Sequence, residues 1–160
     1  MLVRVDCRLI HGQIIEAWVP HTRTECLVVA NDEAAQDPLT RSIMEMAVPP
    51  SIELAVLAVR DAAETLTAGK WAEKRTMVLV ADCKDALTLY KTGLNFDRLN
   101  LGNLICTPGK KQVTCFISLD TADVGYIREF QDHGIHVEAR PVPRDPSRNM
   151  AEVLEPCLGG

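Results

Sequence analysis

Aromatic side chains are scarce, at 4% of 160 residues, so a core has to be assembled from Val, Leu, Ile, Ala and Met. Long apolar runs are missing as well. Nothing approaches the ~20 residues that a membrane-spanning helix needs. The opening MLVRVDCRLIHG, charged at Arg4, Asp6 and Arg8, does not suit a secretory signal. The chain is therefore expected in the cytoplasm. Close cysteine pairs are absent too. Cys7, Cys26, Cys83, Cys106, Cys115 and Cys157 form no CxxC, which argues against a zinc or dithiol motif. They read as free thiols in a reducing compartment, although Cys7 lies close enough to His11 for a Cys–His nucleophile pair to be conceivable. Positive charge is also in deficit. Seventeen Lys and Arg against 22 Asp and Glu leave a net charge of -5, which disfavours nucleic acid or an anionic membrane as the main partner.

What remains is the composition of a soluble domain, 47% hydrophobic and 24% charged. The length suits one domain over residues 1–160. A chain of this size buries roughly 70% of its unfolded surface, enough to fold without a disulfide or metal staple. Short apolar runs at residues 2–5, 26–30, 52–59, 77–81, 97–101, 113–118 and 135–139 read as strands covered on both faces. Helical spacing separates them. One helix opens at Pro38, with Leu39, Ile43, Met46 and Ala47 recurring on one face. Others cover 61–66 and 82–90, the latter with Ala86, Leu87 and Tyr90 inward. A further helix, capped by Asp120 or Thr121, runs to Asp132 and stops at Gly134. Residues 100–113 read as a loop leading into a strand or hairpin. Pro141, Pro143 and Pro146 stiffen a connector to a short helix at 151–154. Alternating strands and helices predict a three-layer α/β fold with an open, mainly parallel β-sheet and helices on both faces.

Ligands of such sheets collect where strands lead into helices. The first such loop, DCRLIHGQ at residues 6–13, brings an acid, a guanidinium and an imidazole together. Neutral imidazole is a good nucleophile toward phosphorus near neutral pH. Phosphoryl transfer demands positioning and charge stabilisation. Arg8 offers a planar fork to phosphoryl oxygens. Asp6 can hold one imidazole nitrogen or orient Arg8. Gly12 leaves room where backbone N–H groups at the helix start would face an anion.

The same string resembles the D-x-R-L-I-H-G-Q signature of the enzyme IIB component of the mannose/fructose/sorbose phosphotransferase family. Trp18 follows at the family's spacing. VANDEAAQD (29–37), AVPP (47–50), NLGN (100–103), GKKQ (109–112) and the segment 145–150 resemble its later motifs, so the likeness spans nearly the whole chain. The resemblance implies a cytoplasmic phosphocarrier, associated peripherally with the inner face of the cell membrane through its partners. His11 would take a phosphoryl group from the phosphohistidine of a IIA component and give it to a sugar bound by the membrane components IIC and IID. In enzyme terms this is a protein-phosphohistidine–sugar phosphotransferase. Arg8 would stabilise charge, Asp6 and Gln13 would support, and Gly12 would donate from its backbone. No cofactor or metal is implied, and a homodimer is compatible. The alternative is a regulatory phospho-acceptor that signals by its phosphorylation state, and it would use His11 as well. A binding module with a dead site is disfavoured, since Arg8, His11 and Gly12 are all present. The chain departs from the family at Cys7, where many relatives carry a second acid, and at NLGN, where a Gly-Gly pair is more usual. Asp82 is expected at the same sheet edge, where an inward carboxylate would repel a phosphoryl group.

The remaining candidates have plainer readings. His21 suits a helix end, and His133 and His136 bracket a turn. Asp32, Glu33 and Asp37 suit helix starts better than a magnesium site. Lys110, Lys111, Arg140 and Arg144 could dock a partner or simply be solvated, and Trp18 reads as packing.

Overall fold

The computed structural model describes residues 1–105 and 107–158, the last three as backbone only. β1 (Leu2–Asp6) leads through a π-helical turn (Ile14–Trp18) into α1 (Val19–Thr22). β2 (Cys26–Ala30), α2 (Asp32–Gln36), α3 (Pro38–Ala47), β3 (Glu53–Leu57), α4 (Val59–Thr67), β4 (Thr76–Val80) and α5 (Cys83–Lys91) follow. The second half contains β5 (Arg98–Asn103), β6 (Lys111–Thr114), β7 (Ile117–Leu119), α6 (Thr121–Asp132), β8 (His136–Ala139), β9 (Arg148–Asn149) and α7 (Met150–Leu158). Among the described residues, one seven-stranded sheet has the order β3-β2-β4-β1-β5-β8-β9, and β6–β7 is a separate antiparallel hairpin. All pairings in the large sheet are parallel except β8–β9. The expected three-layer α/β fold is thus observed.

The layers follow from strand alternation. One phase of each strand (Val3 and Val5, Val28, Val78 and Val80, Leu99 and Leu101, Val137) enters the larger core beneath α4 to α7, where Leu87, Leu89, Ile127 and Phe130 meet it. The other phase of β2 and β4 (Leu27, Val29, Met77, Leu79) packs against Ile14, Trp18, Val19, Ala34 and Met44. On β1, β5 and β8 that second phase is polar: Arg4, Asn100 and Glu138, all buried.

Helix starts are set by side-chain caps. Asn31, Asp37, Asp82 and Asp120 accept backbone N–H groups at the first turns of α2, α3, α5 and α6, and Asp120 completes a capping box with Asp123. Gly134, at φ +77, ends α6 in the left-handed region that favours glycine.

Several boundaries differ from expectation. The run 52–59 divides, because Val59 is the first residue of α4, and 113–118 divides into the β6–β7 hairpin. On α3 the apolar face read from the sequence points to solvent: Leu39, Ile43 and Met46 are 68%, 56% and 83% exposed, whereas Met44 is the buried residue. Periodicity identifies an apolar face but cannot say which element, if any, lies against it. The expectation of free thiols holds at Cys26, Cys83 and Cys115. It fails at Cys7, which is disulfide-bonded and so offers no thiol to pair with His11. Cys106 and the side chain of Cys157 lie outside the described residues. No described helix is long and apolar enough to cross a membrane.

Candidate functional site

β1 sits in the middle of the sheet, and its pairing with β5 shifts register between Val5 and Asp6. The chain then turns back on itself, with the Leu9 N–H donating to the Asp6 carbonyl at 2.9 Å. Leu9 takes φ +57, an uncommon conformation for a branched residue, and its buried side chain packs in the smaller core. The His11 carbonyl accepts from the N–H groups of Ile14 and Ile15 at 3.0 and 3.2 Å, opening the first helix. Its π-helical turn is a local irregularity of the kind frequent at functional sites.

This loop brings together four of the five expected site side chains. Asp6 is fully buried, His11 is 14% exposed and Arg8 is 39% exposed. His11 Nε2 lies 2.9 Å from Asp6 Oδ2. Asp6 Oδ1 accepts from the Arg8 N–H at 3.1 Å and from Arg8 Nε at 3.4 Å. Arg8 Nη2 in turn donates to Gln13 Oε1 at 3.0 Å. With Nε2–H donated to the carboxylate, the lone pair of the neutral ring is on Nδ1. Burial alone would push the Asp6 carboxyl up. The hydrogen bond from His11, the charges of Arg4 and His11 and the Arg8 N–H outweigh it, so the carboxyl titrates below the ordinary aspartate value. At Gly12 an added Cβ would meet nothing within 4 Å, so the loop is open at that position.

Asp82 does not approach this cluster as expected. Its carboxylate is turned into the cap of α5, accepting from the Asp85 N–H at 2.8 Å. The other candidates are spent elsewhere. Asp32 accepts from the Val59 N–H, and Asp37 caps α3. Lys110 pairs with Asp123 at 2.6 Å and Asp120 at 3.5 Å, which ties it to the start of α6. His133 caps the end of α6 with its ring against Tyr90, and His136 is exposed at the start of β8. His21 and Arg144 line a groove of about 600 Å³ between the first helix and the connector after β8, with Gln13 and Glu16. Trp18 packs as expected, but its indole also donates to the Pro141 carbonyl at 2.9 Å.

Sequence reasoning passed over the residues behind Asp6: Arg4, Asn100, Gly102 and Glu138. A signal was present. Arg4, Asn100 and Glu138 each interrupt an apolar strand at the phase that faces away from the larger core (LVRVD, LNL, VEA). A buried charge in such a place needs partners.

Residues 1–157 match the family described as "PTS system sorbose subfamily IIB component". The chain is 30% identical over 153 residues to the sorbose-specific EIIB component of Klebsiella pneumoniae, covering 96% of this chain and 93% of that protein. It is 31% identical to the N-acetylgalactosamine-specific phosphotransferase enzyme IIB component 2 of Escherichia coli, at 96% and 98% coverage. Among solved structures, the IIBSor domain of the Klebsiella pneumoniae sorbose permease superposes with a TM-score of 0.91 at 29% identity, covering all of both chains. The likeness thus covers the overall fold and the sequence at once, and the chain belongs to the sorbose subfamily of IIB components of the phosphotransferase system.

Proposed function

We propose that this protein is a phosphocarrier of a sugar-transporting phosphotransferase system, with His11 as the residue that carries the phosphoryl group. The observation that carries the reading is the Asp6–His11 contact. A buried carboxylate takes Nε2–H and leaves the lone pair on Nδ1 of a side chain that is 14% exposed. Nδ1 attacks the phosphorus of a phosphohistidine on the IIA component. The new N–P bond forms as the donor's N–P bond breaks, and that electron pair returns to the donor imidazole. Asp6 balances the positive charge that develops on the His11 ring. Arg8, half held by Asp6 and Gln13, keeps guanidinium edges free for phosphoryl oxygens. In the second half-reaction a sugar hydroxyl held by the membrane components IIC and IID takes the phosphorus. The His11 N–P bond breaks and the hydroxyl proton is released. Docking to those components would hold the protein at the inner face of the membrane.

The test is phosphorylation of the purified protein from phosphoenolpyruvate through the upstream carrier proteins and a cognate IIA component, with His11→Ala alongside. The expected result is an acid-labile, base-stable phosphate on one wild-type peptide and none on His11→Ala. A wild-type protein that stays unmodified with a competent donor refutes the carrier role.

A further inference from the structure

The β1 strand buries a charge that the loop chemistry leaves unused. The Arg4 side chain is wholly inaccessible to solvent. It projects from the face of β1 that carries Asp6. Its guanidinium is enclosed by the connector after β8 and by Trp18. Nη1 donates to Asn100 Oδ1 and, at 3.0 Å, to the Arg140 carbonyl. Nη2 donates to Asp6 Oδ2 at 3.1 Å and to the Pro141 carbonyl at 2.9 Å. The Trp18 ring lies 4.7 Å from Cζ. Of the three guanidinium nitrogens, Nε alone finds no acceptor among the described residues.

Two further features show that this seat is built. Gly102 on β5 faces the guanidinium, and a Cβ there would fall 2.0 Å from Nη2 and 2.1 Å from Cζ. Its φ is not in the left-handed region, so room for Arg4, rather than backbone freedom, is what position 102 requires. Asn100 is itself oriented. Its Nδ2 donates to Glu138 Oε1 at 3.1 Å, and Glu138 Oε2 accepts from Ser147 Oγ. With Nδ2 committed to Glu138, Oδ1 is the Asn100 atom turned to Arg4.

We propose that Arg4 is a positioning residue for phosphoryl transfer at His11, seated by the gap at Gly102 and oriented by Asn100 and Glu138. The inference rests on the reading of His11 as the carrier. Asp6 Oδ2 receives two donors, Arg4 Nη2 at 3.1 Å and His11 Nε2 at 2.9 Å. A carboxylate held by a bidentate-capable, fully enclosed guanidinium cannot swing, so the acceptor for Nε2–H is fixed in space. The tautomer, and with it the attacking nitrogen, follows from a residue that never touches the phosphoryl group. Burial lowers the Arg4 pKa to about 10, which still leaves it charged at neutral pH and able to hold Asp6 ionised.

The test uses the full chain with the upstream donor proteins. Gly102→Ala removes no functional group and displaces only the guanidinium; Arg4→Met removes its charge at similar length. ¹⁵N NMR of His11 reports the tautomer, ³¹P NMR reports which nitrogen is phosphorylated, and rapid quench gives the transfer rate against donor concentration. Expected for wild type are Nε2–H and phosphate on Nδ1. Expected for both variants are mixed tautomers, a leak of phosphate to Nε2 and a rate at saturating donor at least tenfold lower with an unchanged KM. A folded variant with the wild-type tautomer and rate overturns the inference. Because either variant can fail to fold, the wild-type Arg4 Nη–H signals are followed as well: they must shift when His11 is phosphorylated, and fixed signals overturn the inference. Failure of wild type to accept phosphate would sink the carrier reading itself, whereas phosphorylated wild type with indifferent variants sinks only the role of Arg4.

Discussion

Replacing Asp6 with Asn separates charge from shape at the centre of the site. The carboxylate is fully buried and receives Arg4 Nη2 at 3.1 Å, the Arg8 N–H at 3.1 Å, Arg8 Nε at 3.4 Å and His11 Nε2 at 2.9 Å. Asn still accepts from Arg8 through its oxygen, but turns an amide NH₂ toward two donors and removes the carboxylate bound directly to Arg4, leaving Glu138 as its remaining counter-charge. Removing one partner of a buried pair costs about 3–5 kcal/mol. Arg4 keeps Asn100, the Arg140 and Pro141 carbonyls and the Trp18 ring, so the lower end, about 3 kcal/mol, is expected. At about 2–4 °C per kcal/mol for a chain of this length, Tm should fall by roughly 6–12 °C. The pH dependence has a definite sign. The folded carboxyl titrates below its ordinary value, so its stabilisation is complete above the unfolded pKa of ~3.9 and is lost as pH falls through the folded value. The gap between wild type and Asp6→Asn should therefore be constant from about pH 5 to 8 and shrink below about pH 4. Urea unfolding followed by circular dichroism at several pH values measures it. Phosphoryl acceptance should fall by about 10²–10⁴-fold, because the proton on His11 is no longer directed. Equal stability at neutral pH, or a gap that widens in acid, would refute the account of Asp6 as a charge held by Arg4 and His11.

Two other predictions address the surroundings. Burial, then the charges of Asp82 and Asp32, raise the Asp85 carboxyl to about 6, so its ionisation weighs against folding increasingly as pH rises toward that value and not below the unfolded one. Carboxyl ¹³C titration should show that midpoint, and Asp82→Asn, which preserves the α5 cap, should lower it by about half a unit or more; an unmoved midpoint removes Asp82 from the cause. On α3, Ile43→Ser should change stability by no more than about 0.5 kcal/mol. Met44→Ala should lose about 2–3 kcal/mol by thermal or urea unfolding, since Met44 is the residue that faces the core. Equal effects of the two would contradict the packing described.

Much of the architecture was legible because local rules act on single segments. Val-rich runs with helical stretches between them specify parallel strands. An Asp before a helical run caps it, as at Asp120. The loop chemistry was legible for a related reason: Asp6, Arg8, His11 and Gln13 are close in sequence, so their meeting needs only one turn. Errors arose where a residue's neighbours come from distant segments. The apolar face of α3 was visible, but not that Leu39, Ile43 and Met46 on it are exposed. Asp82 was visible at the right edge, but not that the α5 cap claims its carboxylate. Likewise, the apolar run at 52–59 does not show that Val59 belongs to α4.

From its residues alone, the chain determined the strand–helix alternation, the Asp120 cap and a loop that gathers an acid, a guanidinium and an imidazole, since each depends on contacts within a few residues. Only the tertiary structure decided what stands behind that loop. Arg4, Asn100, Gly102, Glu138 and the 140–147 connector are far apart in the chain, the hydrogen bonds to Arg4 spanning up to 137 residues, and become one buried group only when β1, β5 and β8 lie side by side. A charge in an apolar strand can be seen in the sequence; the partners that stabilise it there are set by strand order, which no single segment encodes.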